Sequence, residues 1–257
     1  MIDTHCHLNM SPLAADAEGV MTRARSRGVT RVISPAYDQA SWLEIQELAN
    51  RPGIYAAFGV HPWVADSVPP NQIKDSLAEA VAEASSRVVA IGEIGLDTKI
   101  ESPNLEIQLP VFISQLELAV DLDLPVILHC RGAFHELLDA INRHQGKIRG
   151  VIHAFTRGPE LVQRFHQAGL HFGLGGAVTR ESARRVHRGA RVIPDNRLLL
   201  ETDAPSIGLQ GVRPEETEPQ HVADVAAALA KLRDVDPELI ARITTENACQ
   251  LFGLPTE

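Results

Sequence analysis

The sequence predicts an α/β fold, a single (β/α)8 TIM barrel spanning residues 1–257. Three observations point to it. Eight short apolar runs alternate with longer segments of helical spacing almost to the end of the chain. The apolar runs lack strict apolar–polar alternation, as parallel strands covered on both faces do. The 257 residues show no composition break, linker or low-complexity segment, and α/β barrels of this length commonly form one domain. An open doubly wound sheet is the competing arrangement. It would place a glycine-rich phosphate loop after the first strand, and none is present.

Taken in order, the strand runs are Ile2–His5, Val29–Ser34, Tyr55–His61, Val88–Gly92, Pro125–His129, Gly150–His153, His171–Gly173 and Leu198–Thr202. Helical spacing is read in "SWLEIQELAN", "QIKDSLAEAVAEASS", "LPVFISQLELAVDL" and "ELVQRFHQAG". Gly28, Gly169 and the turn at 50–53 mark ends of elements. After the eighth strand a looser stretch, "APSIGLQGVRPEETEPQ", leads to two closing helices, "HVADVAAALAKLR" and "DPELIARITTENACQLF".

A net charge of -9 argues against a protein that coats nucleic acid or anionic membrane with its whole surface. It does not exclude an enzyme that brings a phosphate to a locally positive cleft. Three cysteines, Cys6, Cys130 and Cys249, have no framework spacing, which speaks against a disulfide-stapled secreted fold. Met1 leads directly into a strand pattern with no signal-like segment, and no apolar run reaches the roughly 20 residues of a membrane span. The expectation is a soluble cytoplasmic enzyme with no membrane association and no obligate protein partner evident.

The strand ends carry the chemistry. Residues at i and i+2 of a strand share a face, so His5 and His7, with Asp3 behind them, aim into one space. Strand three ends at His61 in "GVHPW", and strand four in "IGEIGLD" with Glu93 and Asp97. Strand five ends at His129, strand six at His153, and strand eight in "LLLETDAP" with Glu201 and Asp203. In a barrel these C-terminal ends share one mouth, where such folds keep their active sites. Any one of these histidines is unremarkable, whereas the set is not. Imidazole suits zinc and manganese, and carboxylates accept harder ions such as magnesium. The number of candidate ligands suits two ions roughly 3.5–4 Å apart with a shared carboxylate. Glu93 is the candidate bridge. A carboxylated lysine is not expected, since Lys74, Lys99, Lys147 and Lys231 fall in helical or loop stretches. Asp203, ending the last strand, is placed to take a proton from the attacking water.

In their order, "DTHCHL", "GVHP", "GEIGLD", "VILHCR", "HAF" and "LLLETDAP" resemble the TatD family of metal-dependent hydrolases and deoxyribonucleases. The resemblance continues to the closing "NACQLFGL". It implies a TIM barrel of the metal-dependent hydrolase type and two divalent ions, Mg2+, Mn2+ or Zn2+. The implied activity is a DNase that works on single-stranded ends. It further implies that His5, His7, Glu93 and Asp203 hold one ion, that Glu93, His129 and His153 hold the second, and that His61 contacts the scissile phosphate. Two loops depart from the family pattern. The stretch after "ETDAP" reads "SIGLQGVRPEETEPQ", and "HAFTRG" places Arg157 where a small turn residue is common. Both departures fall where substrate rather than metal would be touched. They leave room for an alternative, a metal-dependent amide or ester hydrolase of a small molecule. A non-catalytic metal-binding protein is the third possibility, and an open rim with Asp203 gives it little purpose.

Other residues carry weaker readings. Arg180, Arg184 and Arg188 share a helical face. Arg180, nearest the strand end, is the candidate for substrate contact, and the others read as a solvated face. Trp63 is a candidate platform for a base, against ordinary loop packing. Glu201 could hydrogen-bond a histidine ligand from behind or simply pack inside the barrel. Asp97 and Arg131 read as loop residues near the mouth. Cys6 and Cys130 point away from the ligand face and read as packing residues.

Overall fold

The computed structural model describes residues 1–84 and 87–256. Its strands are β1 (Ile2–Asp3), β2 (Arg31–Pro35), β3 (Ile54–Phe58), β4 (Val88–Asp97), β5 (Val126–Arg131), β6 (Gly150–Ile152), β7 (His171–Leu174) and β8 (Leu198–Leu200). They follow one another in sheet order β1 to β8, and the fold is the (β/α)8 TIM barrel expected from the sequence. The helices are α1 (Ala17–Ser26), α2 (Gln39–Ala49), α3 (Pro70–Glu83), α4 (Leu105–Asp121), α5 (Phe134–Asn142), α6 (Pro159–Gln167), α7 (Arg184–Val192), α8 (Val222–Arg233) and α9 (Pro237–Phe252). The end of the "QIKDSLAEAVAEASS" segment, Ser85 and Ser86, lies outside the described residues. Among the described residues no helix is long and apolar enough to cross a membrane.

Two compact units make up the chain. One comprises Met1–Ser34 with His153–Glu257, the other Pro35–Ile152. In the first, β1 pairs in parallel with β2, Asp3 opposite Val32, and β7 with β8, Gly173 opposite Leu199. The amide and the hydroxyl of Thr4 both donate to the Leu200 carbonyl at 3.0 Å, which fastens the first strand to the eighth. In the second unit β3, β4, β5 and β6 pair in that order, all parallel. Every residue of β2, β3, β6, β7 and β8 is buried, as the unalternating apolar runs required.

Local sequence sets the helix starts. The Asp38 carboxylate accepts from the Ser41 amide in a capping box, and Asn104 accepts from the amides of Glu106 and Ile107. These side chains satisfy amides that have no partner within the helix. The Asn104 cap begins α4 four residues before the apolar run that announced it.

The strand limits differ from the sequence reading where side-chain chemistry overrides pattern. β1 ends at Asp3, so His5 and His7 lie just beyond it. β4 runs five residues past Gly92, to Asp97. Its register against β5 shifts between Ile91 and Ile94. Such a bulge re-aims a side chain, and the side chain inside this one is Glu93. Asp97 is therefore the buried last residue of a strand rather than a loop residue.

Candidate metal centre

In the first unit, three ligand atoms gather from opposite ends of the sequence. His5 Nε2 is 3.3 Å from His7 Nε2, and Asp203 Oδ1 is 3.6 Å from the former and 3.4 Å from the latter. All three residues are buried. Tetrahedral metal–nitrogen and metal–oxygen bonds of roughly 2.0–2.2 Å would leave ligand atoms roughly 3.3–3.6 Å apart. The donor set and its spacing fit a divalent ion. The His153 ring stacks on that of His5 with centroids 4.0 Å apart.

Asp203 adopts φ +54°, a left-handed conformation that a non-glycine residue keeps only when its surroundings impose it. Here the Asp203 amide donates to the His5 carbonyl at 2.8 Å, and its own carbonyl accepts from the amides of Ser206 and Ile207. Burial pushes the Asp203 carboxyl up, but hydrogen bonding with His7 and the charges of His5 and His153 pull it further the other way, leaving it below its ordinary value. That is the ionised form a ligand or a base requires.

Two more carboxyls stand behind this cluster. Asp3 does not face the ligands. Its carboxylate accepts from the Thr202 amide at 3.0 Å, the Thr202 hydroxyl at 2.6 Å and the His5 amide at 3.2 Å, so it braces the backbone that presents His5 and Asp203. Burial pushes its carboxyl up to about 7. Glu201 Oε1 accepts from the Ala154 amide at 2.5 Å but stands 4.0 Å from His153 Nδ1, too far for a hydrogen bond. The bond to the Ala154 amide supports the backbone just after His153, a role not read from the sequence. Burial pushes the Glu201 carboxyl up to about 8.

The second unit gathers His61, Glu93 and His129, with ligand atoms mutually within 4.8 Å. Glu93 Oε1 is 2.9 Å from His129 Nδ1 and 3.3 Å from His61 Nε2. His61 thus stands as close to Glu93 as a ligand would, although the sequence suggested only a phosphate contact. Asp97 Oδ2 lies 3.1 Å from His129 Nε2 and accepts from Trp63 Nε1 at 2.7 Å. Burial raises the Asp97 carboxyl, yet bonds from His129, Trp63 and the Lys99 amide together hold it well below the usual carboxylate range. Trp63 is 42% exposed, so its ring face remains available at the rim.

Some contributors were not legible in the sequence. Gln108 and Gln115, set in the otherwise apolar buried face of α4, clamp the backbone of this cluster. Gln108 Oε1 accepts from the Asp97 amide and its Nε2 donates to the Asp97 carbonyl. Gln115 pairs in the same two ways with Val60, the residue before His61. The available signal was two amide side chains seven residues apart on the apolar face of a helix. Arg180 is exposed, and its Nη2 donates to the Gly208 carbonyl at 2.8 Å, tying it to the loop after β8. Arg184 and Arg188 are exposed on α7. Lys74 and Lys231 lie in α3 and α8, and Lys99 and Lys147 lie outside strands and helices. None is in a strand.

Histidine and carboxylate clusters at the strand ends of a TIM barrel define a metal-dependent hydrolase. The model of the family described as TatD related DNase matches residues 2–253. The chain belongs to that family. It is 36% identical to a protein of Escherichia coli K12 named uncharacterized metal-dependent hydrolase YjjV, over 99% of this chain and 98% of the relative. The crystal structure of that TatD homologue superimposes with a TM-score of 0.93 over 99% of this chain and 98% of the other. The chain is also 34% identical to the 3'-5' ssDNA/RNA exonuclease TatD of Erwinia billingiae, over 99% of this chain and 100% of the relative.

Proposed function

We propose that this hydrolase is a two-metal deoxyribonuclease that shortens single-stranded DNA from an end, with residues 1–257 acting as one catalytic domain. One observation carries the reading: two buried clusters, His5–His7–Asp203 and His61–Glu93–His129, each bring three ligand atoms within 4.8 Å of one another. The exonuclease named among its relatives supports the choice of substrate. The family pattern assigns His5, His7, Glu93 and Asp203 to one ion and Glu93, His129 and His153 to the other; the second cluster differs from that pattern in having His61 beside Glu93 and His129, and we keep His61 as the phosphate contact. Glu93 is common to both.

When bound, such ions lower the pKa of a coordinated water and offset charge on phosphoryl oxygens. The remaining work belongs to side chains. Asp203, ionised in its buried setting, receives the proton of the attacking water at its carboxylate. His61 orients the scissile phosphate. Trp63 offers its exposed ring to a base, and such stacking is worth about 1–3 kcal/mol per base. Arg180 approaches the strand through the loop it supports.

A second reading, hydrolysis of a small amide or ester, draws on that same loop. Gly208 is held by Arg180, Gln210 donates its amide to the Thr179 hydroxyl at 2.8 Å, and Leu209 bridges Val212. A loop pinned at these points favours a compact substrate. The two readings separate in one experiment. Metal-stripped protein is incubated with a single-stranded oligonucleotide labelled separately at each end, with Mg2+, Mn2+ or Zn2+ restored, beside Asp203→Asn. Stepwise, metal-dependent shortening by the wild type and its loss in the variant are expected. Protein that rebinds two ions and cleaves small esters or amides but no oligonucleotide would establish the second reading.

A further inference from the structure

Six of the chain's 24 lysines and arginines fall between positions 180 and 197, where only Glu181 and Asp195 are acidic. This segment is basic in a chain whose net charge is -9. Four of the six arginines stand on α7, which carries no acid. Val186, Gly189 and Ala190 are the buried residues of that helix. With roughly 3.6 residues per turn, Arg184, Arg188 and Arg191 fall on the side opposite those three, and Arg185 flanks them. All four are exposed. Arg191 Nε donates to the Leu232 carbonyl at 3.3 Å. Among the described residues the side chains of Arg184, Arg185 and Arg188 make no hydrogen bond or ion pair. Asp195 is occupied by Arg233.

Helix stability does not account for these cations. Arg184 and Arg185 open the first turn of α7, where the helix dipole disfavours positive charge, and Ala183 before them offers no capping side chain. The first turns of α1, α4 and α9 carry Glu18, Glu106 and Glu238 instead. The helix is also close to the chemistry. A Cβ on Gly189 would stand 2.1 Å from the Arg157 carbonyl oxygen, so α7 lies directly on the loop after β6. From its buried side Val186 lines, with Phe155, Val178 and Asp203, one small cavity. The outward arginines are therefore about one helix diameter, ~10 Å, from the cavity that Asp203 lines.

We propose that the outward face of α7, formed by Arg184, Arg185 and Arg188 with Arg191 at its far end, binds the phosphodiester backbone of single-stranded DNA. The partner rests on the nuclease reading above; the binding face is additional to it and lies outside the candidate metal centre. Guanidinium groups stay charged and match phosphate with paired hydrogen bonds. An anionic membrane also presents phosphate, but a helix lying in one needs an apolar side turned to lipid. The apolar residues of α7 face inward, apart from Val192 at its end. A chain acidic overall is left with a local track for a polyanion, beside the residues that would cut it.

The test uses the full chain in EDTA, so that no metal-dependent cleavage enters, and reads binding by fluorescence anisotropy of an end-labelled oligothymidylate. Arg184→Gln/Arg185→Gln/Arg188→Gln should bind about 10–100-fold more weakly than the wild type at low salt. The slope of log affinity against log salt should become shallower by about 2, since each neutralised phosphate of a single strand contributes about 0.7. The three lysine substitutions at the same positions should retain most of the slope, which keeps the test valid if the glutamine variant folds poorly. Arg51→Gln/Arg143→Gln/Lys147→Gln removes the same charge from exposed positions off this helix and should leave affinity within about twofold. Equal loss in that control, no loss in the α7 variant, or no binding by the wild type would overturn the proposal. So would binding to phosphatidylserine vesicles but not to the oligonucleotide. With metal restored, DNA that is shortened but bound equally by all variants would remove this face and leave the nuclease. DNA bound through the arginines but never shortened would keep the face and remove the nuclease.

Discussion

Gly173 shows how closely single atoms are fitted around this site. A Cβ at that position would lie 2.0 Å from Glu201 Oε2, and Glu201 is the buried acid whose other oxygen holds the Ala154 amide. The glycine therefore makes room for a carboxyl that supports the backbone beside His153. Gly95 is similarly constrained: its φ is +150°, and a Cβ would meet the His129 carbonyl oxygen at 2.0 Å. Gly173→Ala is expected to lower the unfolding free energy by about 1–3 kcal/mol, the usual range for overpacking, as measured by urea denaturation. An unchanged midpoint would show that Glu201 has another place to go. Neither glycine stands out in the sequence, because the atoms that forbid a side chain belong to residues far along the chain.

Among the elements, α4 contributes most to the second cluster beyond the strands themselves. Its two buried glutamines each satisfy both polar groups of one residue, Asp97 and Val60, at the ends of the segments that carry the ligands. Gln115→Leu would keep the volume of the side chain and leave the Val60 amide and carbonyl unpaired. An unsatisfied buried polar group costs about 1–3 kcal/mol. The expected result is a loss of at least that size on urea unfolding, with faster hydrogen exchange at the Val60 amide. The bulge in β4 is a second device of the same kind. Apolar patterning marked the strand through Gly92 but could not show that the register slips at Glu93, since a bulge is defined by its partner strand.

For the whole chain, the distribution of ligands along the sequence has a thermodynamic consequence. His5, His7 and Asp203 meet only in the folded protein, so an ion held there binds the native state and not the unfolded one. At a thousandfold excess over its dissociation constant, one such ion stabilises by about 4 kcal/mol. Melting of the metal-stripped protein should shift upward with added Mn2+ or Zn2+ and return with chelator. His7→Ala should show a reduced shift. The same melting temperature with and without ions would remove metal binding from the folded state. The acidic total charge of -9 bears on the substrate differently. On the function proposed above, it leaves recognition of a polyanion to local groups, for which Trp63 and Arg180 are candidates, rather than to the molecular surface as a whole.

The fold class, the family and the residue types of the candidate metal centre were all legible before any contact was known. Hydrophobic period is written locally, and the His-x-His, Glu and Asp motifs sit at strand ends that the period locates. How those motifs are held became visible only in the folded chain. There Asp97 lies inside a strand and is bonded to His129 and Trp63, Asp3 braces Thr202, Glu201 holds the Ala154 amide, and two glutamines of α4 clamp backbone. Each of these facts is a hydrogen bond between residues distant in sequence. A side chain's donors and acceptors are fixed by its identity, but the partners they reach are fixed only when the strands are in register.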